Sequence, residues 1–214
     1  MIYYNTTITQ NKPYLELDGV NDFVESVTPI QSWGNQSYTF FLDIDIESSP
    51  NFAPIIENFV QVSFERTIYF SRISNTEFSW YEGNTPYIFP YQDGRFQISI
   101  SYDASILSGN NAFVYTNTGG LIASFELSGF QSVLHPITIG LDSSIPTEYL
   151  KAKLYNISFV NYAKTQIEIN NDFSNKIQSK GTGEFLFKID FIDFDNESTF
   201  NTQDSNSHLF QIIR

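Results

Sequence analysis

Apolar and polar residues alternate one for one in stretch after stretch of this chain. Tyr14-Leu15-Glu16-Leu17, Gln61-Val62-Ser63-Phe64, Phe96-Gln97-Ile98-Ser99-Ile100 and Lys151-Ala152-Lys153-Leu154-Tyr155-Asn156-Ile157 each gather their apolar residues on one side of an extended chain. That is the mark of a half-buried strand. The strictest case is Phe41-Leu42-Asp43-Ile44-Asp45-Ile46-Glu47. A period of two sends Leu42, Ile44 and Ile46 to one face and the three carboxylates to the other. Turn-forming pairs punctuate the runs: Asp18-Gly19, Trp33-Gly34-Asn35, Glu82-Gly83-Asn84, Asp93-Gly94, Ser108-Gly109-Asn110-Asn111 and Gly119-Gly120. Short strands between such turns predict an antiparallel sandwich or jelly roll.

One stretch reads as a short helix, Thr165 to Phe173, with Ile167, Ile169 and Phe173 as an imperfect apolar side and Thr165 as the cap. FLFKIDFIDF and LFQII read as strands, so residues 174–214 are expected to complete the sandwich, with Phe185, Phe187, Ile189 and Phe191 inward and Lys188 and Asp190 outward. Asn196 to His208, the most polar stretch, reads as a long loop. No linker or repeat divides the 214 residues, and one domain over residues 1–214 is expected.

Composition adds to this in three ways. The 21 Phe and 13 Tyr make the core material largely aromatic, which favours strands. A formal net charge of -13 argues against nucleic acid and anionic membrane surfaces, which need clustered Lys and Arg. With no cysteine, stability rests on packing and no thiolate metal site exists. The N-terminal stretch has no basic n-region or continuous apolar segment, so with Met1 as the native start no signal peptide is expected. No run approaches the roughly 20 apolar residues of a membrane span, and membrane insertion is not expected.

The order of motifs resembles a laminin G-like domain, a concanavalin A-type jelly roll. The pieces are Leu15-Glu16-Leu17-Asp18-Gly19-Val20-Asn21-Asp22-Phe23-Val24-Glu25, the strand Ser37 to Ile46, and the hairpin Phe113 to Ala123. Ile137 to Leu141, Leu150 to Phe159 and Ala163 to Ile169 follow in the family's closing order. The resemblance covers roughly residues 14 to 173 and implies an all-β fold: a two-sheet antiparallel sandwich with one short helix. It fixes a fold and leaves the activity open.

FLDIDIE is also similar to a degraded copy of the catalytic strand of family 16 glycoside hydrolases. That likeness would make Asp43 the nucleophile, Asp45 its support and Glu47 the acid/base, with nucleophile and acid about 5 to 5.5 Å apart. Aspartate in the first position withdraws the carboxylate by one methylene, and an error of about 1 Å can cost on the order of 100-fold in rate. The expectation is therefore an outward acidic strand face and no catalysis. For binding, Trp80-Tyr81-Glu82-Gly83-Asn84-Thr85-Pro86-Tyr87-Ile88-Phe89-Pro90-Tyr91 reads as a loop rich in rings, with Trp33 a further ring in a loop. Trp80, Tyr81, Tyr87, Phe89 and Tyr91 are its candidate contacts, for sugar or protein alike.

No cofactor is expected. Calcium is the one candidate, because some laminin G-like domains bind it between loops, and Asp18, Asn21, Asp22 and Asp142-Ser143-Ser144 supply oxygens that serve equally well as turn formers. His135 and His208 lie apart and support neither a triad nor zinc. By analogy, the leading expectation is a non-enzymatic phage virion protein, capsid-decorating or tail-associated, that engages virion or surface proteins and glycans. The alternative is a secreted carbohydrate-binding lectin or adhesin module, extracellular; the third reading is a glucan hydrolase.

Overall fold

A computed structural model describes residues 14–31, 36–46, 53–60, 65–74, 76–82, 85–90, 94–128, 134–142, 145, 148–175, 185–191, 199–201 and 209–214. In chain order the strands are β1 (Leu15–Asp18), β2 (Phe23–Ser26), β3 (Ile30–Gln31), β4 (Tyr38–Ile46), β5 (Pro54–Val60) and β6 (Glu65–Arg72). Then come β7 (Glu77–Glu82), β8 (Thr85–Pro90), β9 (Gly94–Tyr102), β10 (Ala112–Thr116), β11 (Gly120–Phe125), β12 (Leu134–His135) and β13 (Thr138–Ile139). β14 (Lys151–Val160), helix α1 (Gln166–Ser174), β15 (Phe185–Asp190), β16 (Thr199–Asn201) and β17 (Leu209–Ile213) close the series. The fold is a two-sheet antiparallel sandwich with one helix. Among the described residues no helix is long and apolar enough to cross a membrane.

The seven-stranded sheet runs β1-β14-β4-β9-β10-β11, with β15 also on β14. One edge of β14 is shared: β1 pairs with Lys151 to Leu154 and β15 with Asn156 to Val160. The eight-stranded sheet runs β16-β17-β2-β13-β5-β6-β7-β8, and β3 and β12 form a separate pair. The core lies between the two sheets. Phe40, Leu42, Ile44 and Ile46 meet it from β4, and Phe70, Phe78, Trp80 and Phe89 from the facing sheet. Rings interlock there, as where Phe40 lies 5.5 Å from Trp80 and 4.7 Å from Phe159 between centroids. At one flank Tyr87 of β8 stacks on Phe125 of β11 at 4.5 Å.

α1 begins as its sequence dictates. Thr165 and Glu168 form a capping box, in which each side chain bonds the other residue's backbone N–H. The helix covers one end of the outer face of the seven-stranded sheet, where Phe41 meets Phe173 at 5.8 Å. Just before it, the main chain at Lys164 is fixed from both sides. Its N–H donates to Thr39 Oγ1 at 2.8 Å, and its carbonyl accepts from Ser101 Oγ at 2.9 Å.

Three expectations change. Residues 80–91 were read as a loop, but the described part is a hairpin of β7 and β8, because Pro86 and Pro90 sit in an edge strand, where a missing N–H costs no ladder bond. Asp190 does oppose Asn156 on the outer face, yet it is buried there rather than solvated. Ile189 and Phe191 are core, while the side chains of Phe185 and Phe187 lie outside the described residues. The polar stretch 196–208 contains a strand, β16, where it was read as loop. The alternation at Gln61 to Phe64 falls outside the described residues.

Gly140 shows how tightly the sheets are joined. It has φ +88°, and a Cβ would lie 2.5 Å from Leu17 Cδ1. Its N–H donates to the Ile55 carbonyl at 3.1 Å and its carbonyl accepts from Leu150 at 2.9 Å, so the backbone has no room to yield. Gly140→Ala is expected to lose roughly 1–3 kcal/mol, from the left-handed conformation and overpacking together. A melting temperature equal to the parent's would contradict this placement.

Candidate functional site

The aromatic candidates separate by strand parity. Trp80, Tyr87 and Phe89 turn inward: Trp80 stands opposite Tyr87 and Phe78 opposite Phe89. Trp80 and Phe89 are buried to 0% and 2% exposure, so they are core and not surface anchors. Tyr87 is half-buried against the core. Of the described members, Tyr81 alone takes the outer face of its sheet, half-buried and edge-on to Tyr69 at 5.1 Å. Tyr91 and Trp33 lie outside the described residues. The five residues therefore do not form one exposed patch.

The acidic strand is the richer place. Asp43 and Asp45 stand on the outer face of β4, as the alternation requires, but Asp43 is only 5% exposed. It was expected in solvent; the reason it is not lies 52 residues away in sequence. Arg95 Nε donates to Asp43 Oδ1 and Arg95 Nη2 to Oδ2, both at 2.9 Å. Gln97 Nε2 adds a third bond to Oδ2 at 3.0 Å. A bidentate guanidinium fixes the carboxylate in place. Bonding to Asp43 in turn holds the Arg95 guanidinium protonated even more firmly than usual, outweighing partial burial. Glu47 lies outside the described residues.

A β-bulge completes the arrangement. Leu154 pairs with Ile44 and Asn156 with Asp43, leaving Tyr155 as the extra residue of β14. Core positions accordingly shift parity, from Ala152 and Leu154 to Ile157 and Phe159. Bulges re-aim side chains. Here the ring of Tyr155 reaches Arg95, whose Cζ lies 3.6 Å from its centroid. Tyr14 packs on Tyr155 at 5.5 Å, and Lys153 Nζ lies 5.7 Å from the Tyr14 ring. Burial raises the pKa of the Tyr155 hydroxyl, with the Arg95 charge opposing. Asn117 anchors the next strand by accepting from the Gln97 N–H at 3.2 Å. The outcome is a platform in which the Arg95 side chain, half-exposed at 50%, is held by a buried carboxylate and against a ring.

Sequence reading picked out the carboxylates and missed Arg95, Gln97 and Tyr155. The available signal was the adjacent pair Tyr155-Asn156, which breaks an otherwise alternating strand.

The calcium candidates act as turn formers. Asp18 Oδ1 accepts from the N–H groups of Val20, Asn21 and Asp22 at 2.8, 3.2 and 3.3 Å. Partial burial works the other way, but these bonds hold the Asp18 carboxyl below its usual pKa. Burial and the neighbouring Asp18 charge push Asp22 up. Asp142 accepts from Tyr69 Oη at 3.1 Å and from the Ile145 N–H, while Ser143 and Ser144 lie outside the described residues. Among the described residues no three His, Asp or Glu side chains converge as a metal site. His135 ends β12, where its carbonyl accepts from Asn58 at 2.9 Å; His208 lies outside the described residues.

No protein-family model and no curated protein matches this chain. Solved structures match in fold. A Bacteroides ovatus protein named for a proposed carbohydrate-binding role superposes with a TM-score of 0.66 at 12% identity, over 92% of this chain and 60% of its own. A heptameric SAP-like pentraxin from Limulus polyphemus gives 0.57 at 12% identity, over 93% of this chain and 96% of its own. A Trypanosoma rangeli sialidase in complex with sialic acid gives 0.53 at 14% identity, over 78% of this chain and 29% of its own. This chain thus spans about three fifths of the Bacteroides protein and under a third of the sialidase. At such identities the likeness concerns the β-sandwich itself.

Proposed function

We propose that this domain is a non-enzymatic, lectin-like carbohydrate-binding module that uses the outer face of the seven-stranded sheet. The observation that carries the reading is the fixed Arg95 platform. Asp43 takes two of the five guanidinium N–H donors, and the half-exposed group keeps others within a ligand's reach. Gln97 on the same strand, Asp45 and Lys153 on the next two strands and the Tyr14 ring just before β1 surround it. Planar polar groups locked beside a ring suit sugar hydroxyls, because little side-chain freedom remains to be lost on binding. A sandwich of this kind in the Bacteroides ovatus protein named for carbohydrate binding adds support by analogy of fold.

The same geometry speaks against hydrolysis by Asp43. Its two oxygens already accept three hydrogen bonds. A nucleophile needs a free lone pair aimed at the substrate. The comparisons lend the virion reading no support.

Glycan-array screening followed by calorimetric titration tests the proposal. The paired change Asp43→Asn with Arg95→Gln removes the platform without stranding a buried charge. It is expected to weaken binding roughly tenfold or more, about 1.4 kcal/mol, at a nearly unchanged melting temperature. Tyr81→Ala, on the opposite sheet, should leave affinity alone. Failure of the parent protein to bind any glycan would refute the reading, as would full affinity in the paired variant.

A further inference from the structure

One row of charged residues on this face alternates in sign across four adjacent strands. Glu16 of β1 stands opposite Lys153 of β14, Lys153 opposite Asp45 of β4, and Asp45 opposite Arg95 of β9. Each cation is flanked by a carboxylate, and Arg95 also bonds Asp43 diagonally. Opposite charges directly across strands stabilise the pairing and cancel one another's field. Taken together, Glu16, Asp43 and Asp45 outnumber Lys153 and Arg95 by one, on a chain whose formal net charge is -13. The eye-catching Arg and Lys of the platform are thus not a spare anion site.

We infer that the ligand of this face is an uncharged glycan, and that sialylated, uronate and sulfated sugars are rejected. This rests on the lectin-like reading above and adds the ligand's charge class. An anionic sugar set against the Arg95 side chain has Asp43 and Asp45 within one residue spacing of the same guanidinium. It also meets the field of an acidic molecule. A neutral sugar pays neither penalty and uses the same donors and acceptors through its hydroxyls.

Matched ligand pairs decide the matter: lactose against sialyllactose and against sulfated lactose, and fully methyl-esterified tri-galacturonate against tri-galacturonate, each titrated at low and at moderate salt. Neutral members should bind at least roughly tenfold more tightly than their acidic partners. The gap should narrow as salt rises, while the affinity for neutral members stays put. Asp45→Asn, which removes one charge of that row, should reduce the discrimination by roughly threefold. Acidic members bound equally or better would overturn the inference while leaving the lectin-like reading intact. So would a ratio that neither salt nor Asp45→Asn moves. If no member of any pair binds and a broad array is silent as well, the lectin-like reading itself falls, and this inference with it.

Discussion

Lys164→Met is expected to destabilise the domain by about 3–5 kcal/mol. Lys164 Nζ donates to Asp172 Oδ2 of α1, and both side chains are nearly fully buried, at 2% and 4% exposure. Removing the ammonium leaves a carboxylate beneath the helix, in a place water does not reach. The backbone of Lys164 is the clasp between α1 and the sheet through Thr39 and Ser101, so strain there spreads to β4 and β9. The paired change Lys164→Met with Asp172→Leu removes both charges and should recover most of the loss, since an apolar pair of similar volume is often as stable as a buried ion pair. Urea midpoints of the three variants measure this. A single-variant loss below about 1 kcal/mol, or a double variant as weak as the single, would show that the pair is not the buried clasp described.

Trp80→Ala is the second large effect, a loss of about 3–5 kcal/mol. The indole is fully buried, with Tyr38, Phe40 and Phe70 at 6.2, 5.5 and 6.1 Å between centroids. The facing sheets meet at these rings, and an alanine leaves a void that close packing fills only in part. For a chain of this length, each kcal/mol shifts the melting temperature by about 2–4 °C. Glycan binding should fall only in step with the folded fraction. A variant that melts like the parent yet no longer binds would return Trp80 to the surface and undo the inward assignment.

The sequence made the strands legible and their partners obscure. β4, β9 and β14 announce themselves by alternation, and Thr165-x-x-Glu168 announces the start of α1, because both signals are local. The fate of Asp43 was not local. Alternation correctly set it opposite Leu42 and Ile44, but its burial depends on Arg95 and Gln97 from β9 and on a bulge in β14. Trp80 and Phe89 were misjudged for a different reason. Gly83, Pro86 and Pro90 read as loop chemistry, whereas an edge strand tolerates proline and its rings then fall inward by parity.

Shared edges at the start of the chain have a consequence for how the molecule is made. β1 waits for β14, and β2, which lies between β13 and β17, gains its second neighbour last, where Gln211 reaches Glu25 across 186 residues of chain. Neither early strand is fully paired until those later ones have been made. Its apolar side, Leu15 and Leu17 or Val24, is incompletely covered in the interval. Closure of such distant ends is slow, on the scale of milliseconds to seconds. Nascent chains are therefore open to strand exchange with one another throughout that interval. Slower, cooler expression that spaces the chains apart should raise the yield of folded protein.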